Sequence, residues 1–173
     1  GVEIESITNN IVKNNVISAN GNDGVLISGP GADGNTVHGN TIGLDITGND
    51  LMGNGRNGVT IIVGSNNIIG GPEARDKNVI SANDRGILIN QCGPESNNKI
   101  QGNFIGTDKT GNYGKGNGGT GIVILHSENV QIVENIISGN QLYGVSIWYD
   151  DSKFNIVKGN IIGLDVDGEE ILG

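Results

Sequence analysis

Asn98-Lys99-Ile100-Gln101-Gly102-Asn103 decides the fold, because the same phrase occurs on either side of it. Asn35-Thr36-Val37-His38-Gly39-Asn40 precedes it and Asn155-Ile156-Val157-Lys158-Gly159-Asn160 follows it. A sister phrase alternates with these: Asn15-Val16-Ile17-Ser18-Ala19-Asn20, Asn78-Val79-Ile80-Ser81-Ala82-Asn83 and Asn135-Ile136-Ile137-Ser138-Gly139-Asn140. A third block, Gly-[Val/Ile]-x-Ile, stands at 24–27, 58–61, 86–89, 121–124 and 144–147. Self-similarity with a period of tens of residues marks stacked units that bury a core only against their neighbours.

Aligning the blocks gives coils with a constant order: strand one after an Asn, strand two after a second Asn, strand three after a Gly. Coils start at Asn10, Asn35, Asn67, Asn98, Val130 and Asn155, so successive starts lie 25, 32, 31, 32 and 25 residues apart. Short runs with period-two alternation, punctuated by Gly and Asn, suit a parallel sheet rather than helices. The expected fold is therefore an all-β solenoid of about five to six coils, one domain over residues 1–173. Val12, Val37, Ile69, Ile100, Ile132 and Val157 form one expected inward column. Ile17, Ile42, Ile80, Ile105, Ile137 and Ile162 form a second, and pairs such as Ile87/Ile89 and Ile122/Ile124 a third.

Corners need backbone near the left-handed region, which Gly adopts freely and Asn tolerates. Identical Asn residues stacked ~4.8 Å apart also hydrogen-bond along the axis. Asn15, Asn40, Asn78, Asn103, Asn135 and Asn160 make such a ladder, a structural role and not a catalytic one. Val130 stands where the other coils have Asn, with Asn129 just before it, so a one-residue irregularity is expected there.

Composition narrows the partners. There are 31 Gly without a Gly-X-Y period, which excludes collagen. Aromatics make up only 3% of the chain, so β-branched aliphatics must fill the core. A formal net charge of −9 argues against nucleic acid and anionic membrane, and against a polyanionic sugar unless a divalent cation intervenes. The single Cys92 excludes an internal disulfide framework. No apolar run of ~18 residues is present, so no membrane insertion is expected. The chain opens on Gly1 inside a repeat, and the expectation is a processed protein or an excerpt of a longer one.

These phrases resemble the right-handed parallel β-helix repeat proteins of the pectin-lyase-like superfamily, over essentially the whole chain. They look like those of large secreted or surface bacterial β-helix proteins, which implies an extracellular or cell-surface location. That superfamily hosts polysaccharide lyases, hydrolases, epimerases and non-enzymatic surface modules, so the fold alone does not choose among them.

Alternate coils carry an insertion after strand two, at 43–53, 106–114 and 163–173, whose central Gly-Asn and Gly-Glu pairs suggest tight hairpins. Their aliphatics (Leu44, Leu51, Met52, Leu164, Leu172) need cover, and the outer column Val16, Thr41, Val79, Phe104, Ile136, Ile161 offers it. Asp45, Asp108 and Asp165 are expected to close Asx-type turns. No cofactor is expected, although Asp165, Asp167 and Glu169 form the densest acidic run and a weak Ca2+ candidate.

The resemblance implies catalytic signatures that this chain lacks: Gly-His-Gly, Asn-Thr-Asp and Asp-Pro-His are all absent. Asp150-Asp151 is the least implausible catalytic pair, and the enzyme reading (uronan lyase, hydrolase or epimerase type) stays the alternative. His38 and His126 fall on different strands more than two coils apart, so they do not form one site, and His38 reads as solvated surface. Tyr143, Trp148 and Tyr149 gather in one coil and are the candidate glycan-binding residues, since flat aromatic rings stack on sugars. Both chain ends would expose unpaired strand edges, so self-association through the helix ends, or covalent continuation in a longer solenoid, is expected. The sequence thus reads as a non-catalytic extracellular structural β-helix module that stacks end to end or binds a polysaccharide.

Overall fold

Val37 pairs in parallel with Val12 on one side and Ile69 on the other, and the same relation continues through Ile100, Ile132 and Val157. The computed structural model describes residues 1–172, which wind into a parallel β-helix of three six-stranded sheets. The strand-one sheet runs through Ile11–Lys13, Thr36–His38, Ile68–Gly70, Lys99–Gln101, Gln131–Val133 and Ile156–Lys158. The strand-two sheet runs through Val16–Ile17, Thr41–Ile42, Val79–Ile80, Phe104–Ile105, Ile136–Ile137 and Ile161–Ile162. The strand-three sheet comprises Val2–Glu5, Val25–Ser28, Asn57–Ile62, Arg85–Asn90, Ile122–Leu125 and Val145–Trp148. Among the described residues the one helical element is the short 3-10 turn Ala74–Asp76.

The three expected columns all point inward. Val37, Ile42, Ile61, Ile69, Ile80, Ile87, Ile100, Ile105 and Ile122 are fully buried in one aliphatic cluster. In the last coil Val157 and Ile162 are 44% and 47% exposed, because no described coil lies over them.

Asparagine does more than the sequence reading assigned. Ladders run at all three corners. The expected one runs Asn15–Asn40–Asn78–Asn103–Asn135–Asn160, each Nδ2 donating to the next Oδ1 at 2.8–3.0 Å. A second links Asn20, Asn54, Asn83, Asn117 and Asn140. A third starts at Asn10 and passes through Asn35, Asn67 and Asn98. Each inner rung is saturated: the Oδ1 of Asn78 accepts both N–H and Nδ2 of Asn40, while its own Nδ2 donates to Val37 O and Asn103 Oδ1. Saturation matters because an unpaired buried amide costs about 1–3 kcal/mol.

Left-handed Gly and Asn stand at the corners as expected, beside the ladder rather than on it, and the irregularity expected at Val130 is corrected. Ladder asparagines are not themselves in the left-handed region; the residue just before most of them carries that conformation, Lys77, Gly53 and Gly116 being the exceptions. Asn9, Gly34, Asn66, Asn97, Asn129 and Phe154 all have φ between 44° and 67°, one residue ahead of the third ladder. The rung side chain is therefore selected for hydrogen bonding and its predecessor for backbone geometry. Nor is there an irregularity at Val130. Register passes through it unbroken, Lys99 opposite Gln131, and its backbone N–H still donates to Asn155 Oδ1 at 2.9 Å. Ser96 Oγ takes the amide hydrogen that Asn98 has no neighbouring rung to receive.

The hairpins form as expected, with antiparallel bridges Leu44–Leu51, Thr107–Gly114 and Leu164–Ile171. They fold back over the outer face of the strand-two sheet, where Leu44, Val79, Phe104 and Ile136 make a second buried cluster with Val166 and Ile161 against it. Lys77 covers the Phe104 ring, its Nζ 3.6 Å from the centroid, and burial lowers its pKa. Leu51 and Met52 do not obtain the expected cover; Leu51 is 62% exposed. Both lie on the returning arm of the hairpin, Leu51 opposite the buried Leu44. Serines of the plain coils anchor the hairpin roots, a role not read from sequence: Ser18, Ser81 and Ser138 hydroxyls donate to the Leu44, Thr107 and Leu164 carbonyls.

The turn aspartates close the hairpins. Asp45 Oδ1 accepts from the Asn49 and Asp50 amides, and Asp165 Oδ1 from those of Glu169 and Glu170. These bonds hold both carboxyls below the ordinary aspartate value of 3.8, led by Asp50 N–H for Asp45 and Glu169 N–H for Asp165. A depressed folded pKa gives stability that is present above the unfolded value and lost as pH falls below it. Hairpin amide protection should thus be constant from neutral pH down to about 4 and fall on further acidification. Asp45→Asn should remove that acid step for the first hairpin in NMR-detected exchange. An unchanged step would contradict the assignment.

Candidate functional site

Strand three of the fifth coil alternates: Val145 packs against the core, whereas Ser146 and Trp148 face outward. Register sets Ser146 beside Val123 and Trp148 beside Leu125 of the preceding coil. The turn ahead of the strand brings in Leu142 and Tyr143. It is pinned in place because Leu142 N–H donates to Gly119 O at 3.2 Å and Gly121 N–H to Tyr143 O at 2.8 Å. Asp84 and Arg85, an ion pair at 3.7 Å, close the far wall. The result is a groove of about 260 Å3 on the lateral face, floored by Val123 and Leu125 and flanked by Tyr143 and Trp148. Both rings stay available, at 59% and 55% exposure. Such a surface offers flat apolar faces beside a few hydroxyl, amide and charged groups, the pattern of a small-ligand cleft.

The comparisons with known proteins address the architecture. The family profile described as "Right handed beta helix region" matches residues 41–164. The chain belongs to the right-handed β-helix family. No curated protein and no solved structure matches it. This β-helix thus has its fold and winding assigned, and its function must be argued from its own residues.

The β-helix brings only part of the candidate set together. Tyr143 and Trp148 line one groove. Tyr149 does not: with φ of 79° it turns at the corner and stacks on His126, centroids 3.9 Å apart and planes at 14°. Asp151 lies beside the same histidine, its carboxylate oxygens 3.0 and 3.1 Å from His126 Nδ1. Asp150 is exposed on the turn and faces no such partner among the described residues. Asp165 is buried in its own turn, while Asp167 and Glu169 are exposed. Among the described residues no three His, Cys, Asp or Glu side chains gather closely enough to hold a metal ion.

His38 is not the solvated surface residue expected. The segment bearing Ala74–Asp76 folds over the strand-one sheet, with Gly39 N–H donating to Asp76 O, and leaves the His38 side chain 22% exposed. Its Nδ1 lies 3.2 Å from Asp76 Oδ1 but out of line for a hydrogen bond. Cys92 is buried in the core, and burial pushes its thiol up to about 11, so it is no nucleophile at neutral pH. The groove's far wall, Asp84-Arg85, was not read from sequence.

Proposed function

We propose that this β-helix is a non-catalytic extracellular module that holds an uncharged saccharide against the outer face of its strand-three sheet. One observation carries the reading: Tyr143 and Trp148, two of the chain's six Phe, Trp and Tyr residues, flank a single lateral groove. Coils above and below pair along strand edges, so further coils would leave this face open. The −9 charge and the Asp84-Arg85 pair favour a ligand without net charge. Aromatic stacking supplies affinity, and Ser146, Asp84 and Arg85 supply hydrogen bonds to hydroxyls.

The test is affinity electrophoresis through gels containing neutral polysaccharides such as glucans, mannans and galactans. The native chain should be retarded by at least one of them. Trp148→Ala should lose about ten-fold or more in affinity, the scale of one lost stacking contact, with an unchanged urea transition. Equal retardation of both proteins would refute the site. The alternative, a polysaccharide-active enzyme using Asp150 and Asp151, predicts new reducing ends or unsaturated product from polygalacturonate or alginate, with or without calcium. Either product would overturn the non-catalytic reading.

A second reading concerns assembly. The exposed edge of Ile156–Lys158 and the half-bare Val157 and Ile162 favour a further coil over this face, from the same polypeptide or from a second copy. Light scattering at increasing concentration separates the two: growing mass supports a second copy, and a constant monomer counts against it.

A further inference from the structure

Three of the four Asn-Gly pairs in the chain, Asn20-Gly21, Asn54-Gly55 and Asn117-Gly118, lie on the second ladder; the fourth is Asn57-Gly58. Asn-Gly is the dipeptide most open to loss of its side-chain amide, since no Cβ shields the glycine nitrogen and the backbone turns freely. In that reaction the glycine nitrogen attacks the asparagine Cγ, and a C–N bond closes a five-membered succinimide. The Cγ–Nδ2 bond breaks, and the nitrogen departs as ammonia with the proton given up by the glycine amide. Water then opens the ring at either carbonyl, leaving aspartate or isoaspartate. No oxidant, metal or enzyme is required.

The coil immobilises every group this reaction needs. Asn54 is buried, and its Oδ1 accepts from Asn20 N–H at 3.1 Å and Asn20 Nδ2 at 2.7 Å. Its own Nδ2 donates to Ile17 O at 3.0 Å and Asn83 Oδ1 at 2.8 Å. The attacking nitrogen is held too: Gly55 N–H donates to Asn20 O at 2.8 Å. Asn117 repeats the arrangement. Its Oδ1 accepts from Asn83, its Nδ2 donates to Ile80 O and Asn140 Oδ1, and Gly118 N–H donates to Asn83 O at 2.8 Å. The susceptible dipeptide at 54 is imposed by packing, because a Cβ on Gly55 would come within 2.5 Å of the Gly21 carbonyl.

We propose that Asn54 and Asn117 are latent deamidation sites, locked while the coils are stacked, released by unfolding, and unable to rejoin the ladder once converted. An aspartate at 54 has no hydrogen to give Ile17 O or Asn83 Oδ1, so a buried carboxylate would face two oxygens. An isoaspartate adds a backbone atom and shifts the register of everything after it. Each unfolding event therefore becomes permanent in proportion to its duration, and the ladder makes this β-helix kinetically rather than reversibly stable.

The experiment holds two samples of the whole chain in the same mildly alkaline buffer, one folded and one in guanidinium chloride above its transition. Peptide mass spectrometry follows amide-to-acid conversion at each site. In the folded sample Asn54 and Asn117 should convert about 100-fold or more slowly than in denaturant, since reaction must await opening. The refoldable fraction of the denatured sample should fall in step with conversion. Gly118→Ala supplies a variant that folds, because its Cβ would meet only Asn83 O at 3.8 Å and Asp84 O at 3.9 Å, both ordinary contacts. It should slow conversion at Asn117 in denaturant while Asn54 reacts as before. Conversion in the folded protein as fast as in denaturant, or refolding of converted chains with native yield, would overturn the proposal.

Discussion

Asn103→Ala should lower the unfolding free energy by about 4 kcal/mol, an effect at the upper end for a single substitution. The side chain is wholly buried and makes five hydrogen bonds. Its Oδ1 accepts from Asn78 N–H and Nδ2, and its Nδ2 donates to Ile69 O, Gln101 O and Asn135 Oδ1. Truncation strands at least Asn78 N–H and one lone pair of Asn135, each costing about 1–3 kcal/mol without water to replace the partner. Cooperative polarisation along the ladder adds to the loss. Asn160→Ala, on the outermost rung with a partly exposed side chain, should cost about 1 kcal/mol. Urea transitions of the two variants measure the difference, and equal shifts would mean that the ladder is not a source of stability.

Gly121→Ala should cost about 3 kcal/mol or prevent folding, for a reason unrelated to φ. Gly121 does not occupy the left-handed region; it stands where two coils and a core side chain converge. A Cβ there would lie 2.7 Å from Gly144 O, 2.7 Å from Ile137 Cγ2 and 2.9 Å from Asn140 Nδ2. Gly24, Gly58 and Gly86 meet the same obstruction one coil apart, from the next coil's carbonyl and from the strand-two isoleucine. The matched control is Gly118→Ala, three residues earlier with only ordinary contact, which should leave the urea midpoint nearly unchanged. If both alanine variants were equally stable, close coil approach would not explain the repeated glycine.

The comparison of these glycines shows what the sequence could and could not disclose. Inward columns were legible because parallel strands alternate strictly, so Ile100 and Ile105 could be placed from spacing alone. One ladder was legible because its rungs alternately open the sister phrase and close the other one. In the second ladder Asn20, Asn83 and Asn140 close the sister phrase and were equally visible, but Asn54 and Asn117 follow the hairpins, and their place depends on coil register, which no single repeat displays. Left-handed geometry was legible in kind, since Gly and Asn carry most of it, but not in place: it falls on the residue before most rungs, Phe154 and Glu134 included. Trp148 and Tyr143 were legible as a pair through scarcity of aromatics. Tyr149 was grouped with them because adjacency in sequence hides a corner that turns its ring onto His126. Asp84 and Arg85, more than fifty residues upstream of Tyr143 and Trp148, had no local mark at all.

The central claim is that an uncharged sugar ring docks between Trp148 and Tyr143, and the chain contains a single tryptophan with which to watch it. Titrating neutral oligosaccharides while recording tryptophan emission should give a saturable blue shift and reduced quenching by acrylamide, as a half-exposed indole is covered. Emission and quenching that stay constant with every neutral oligosaccharide, and change only with polyuronate, would contradict the account.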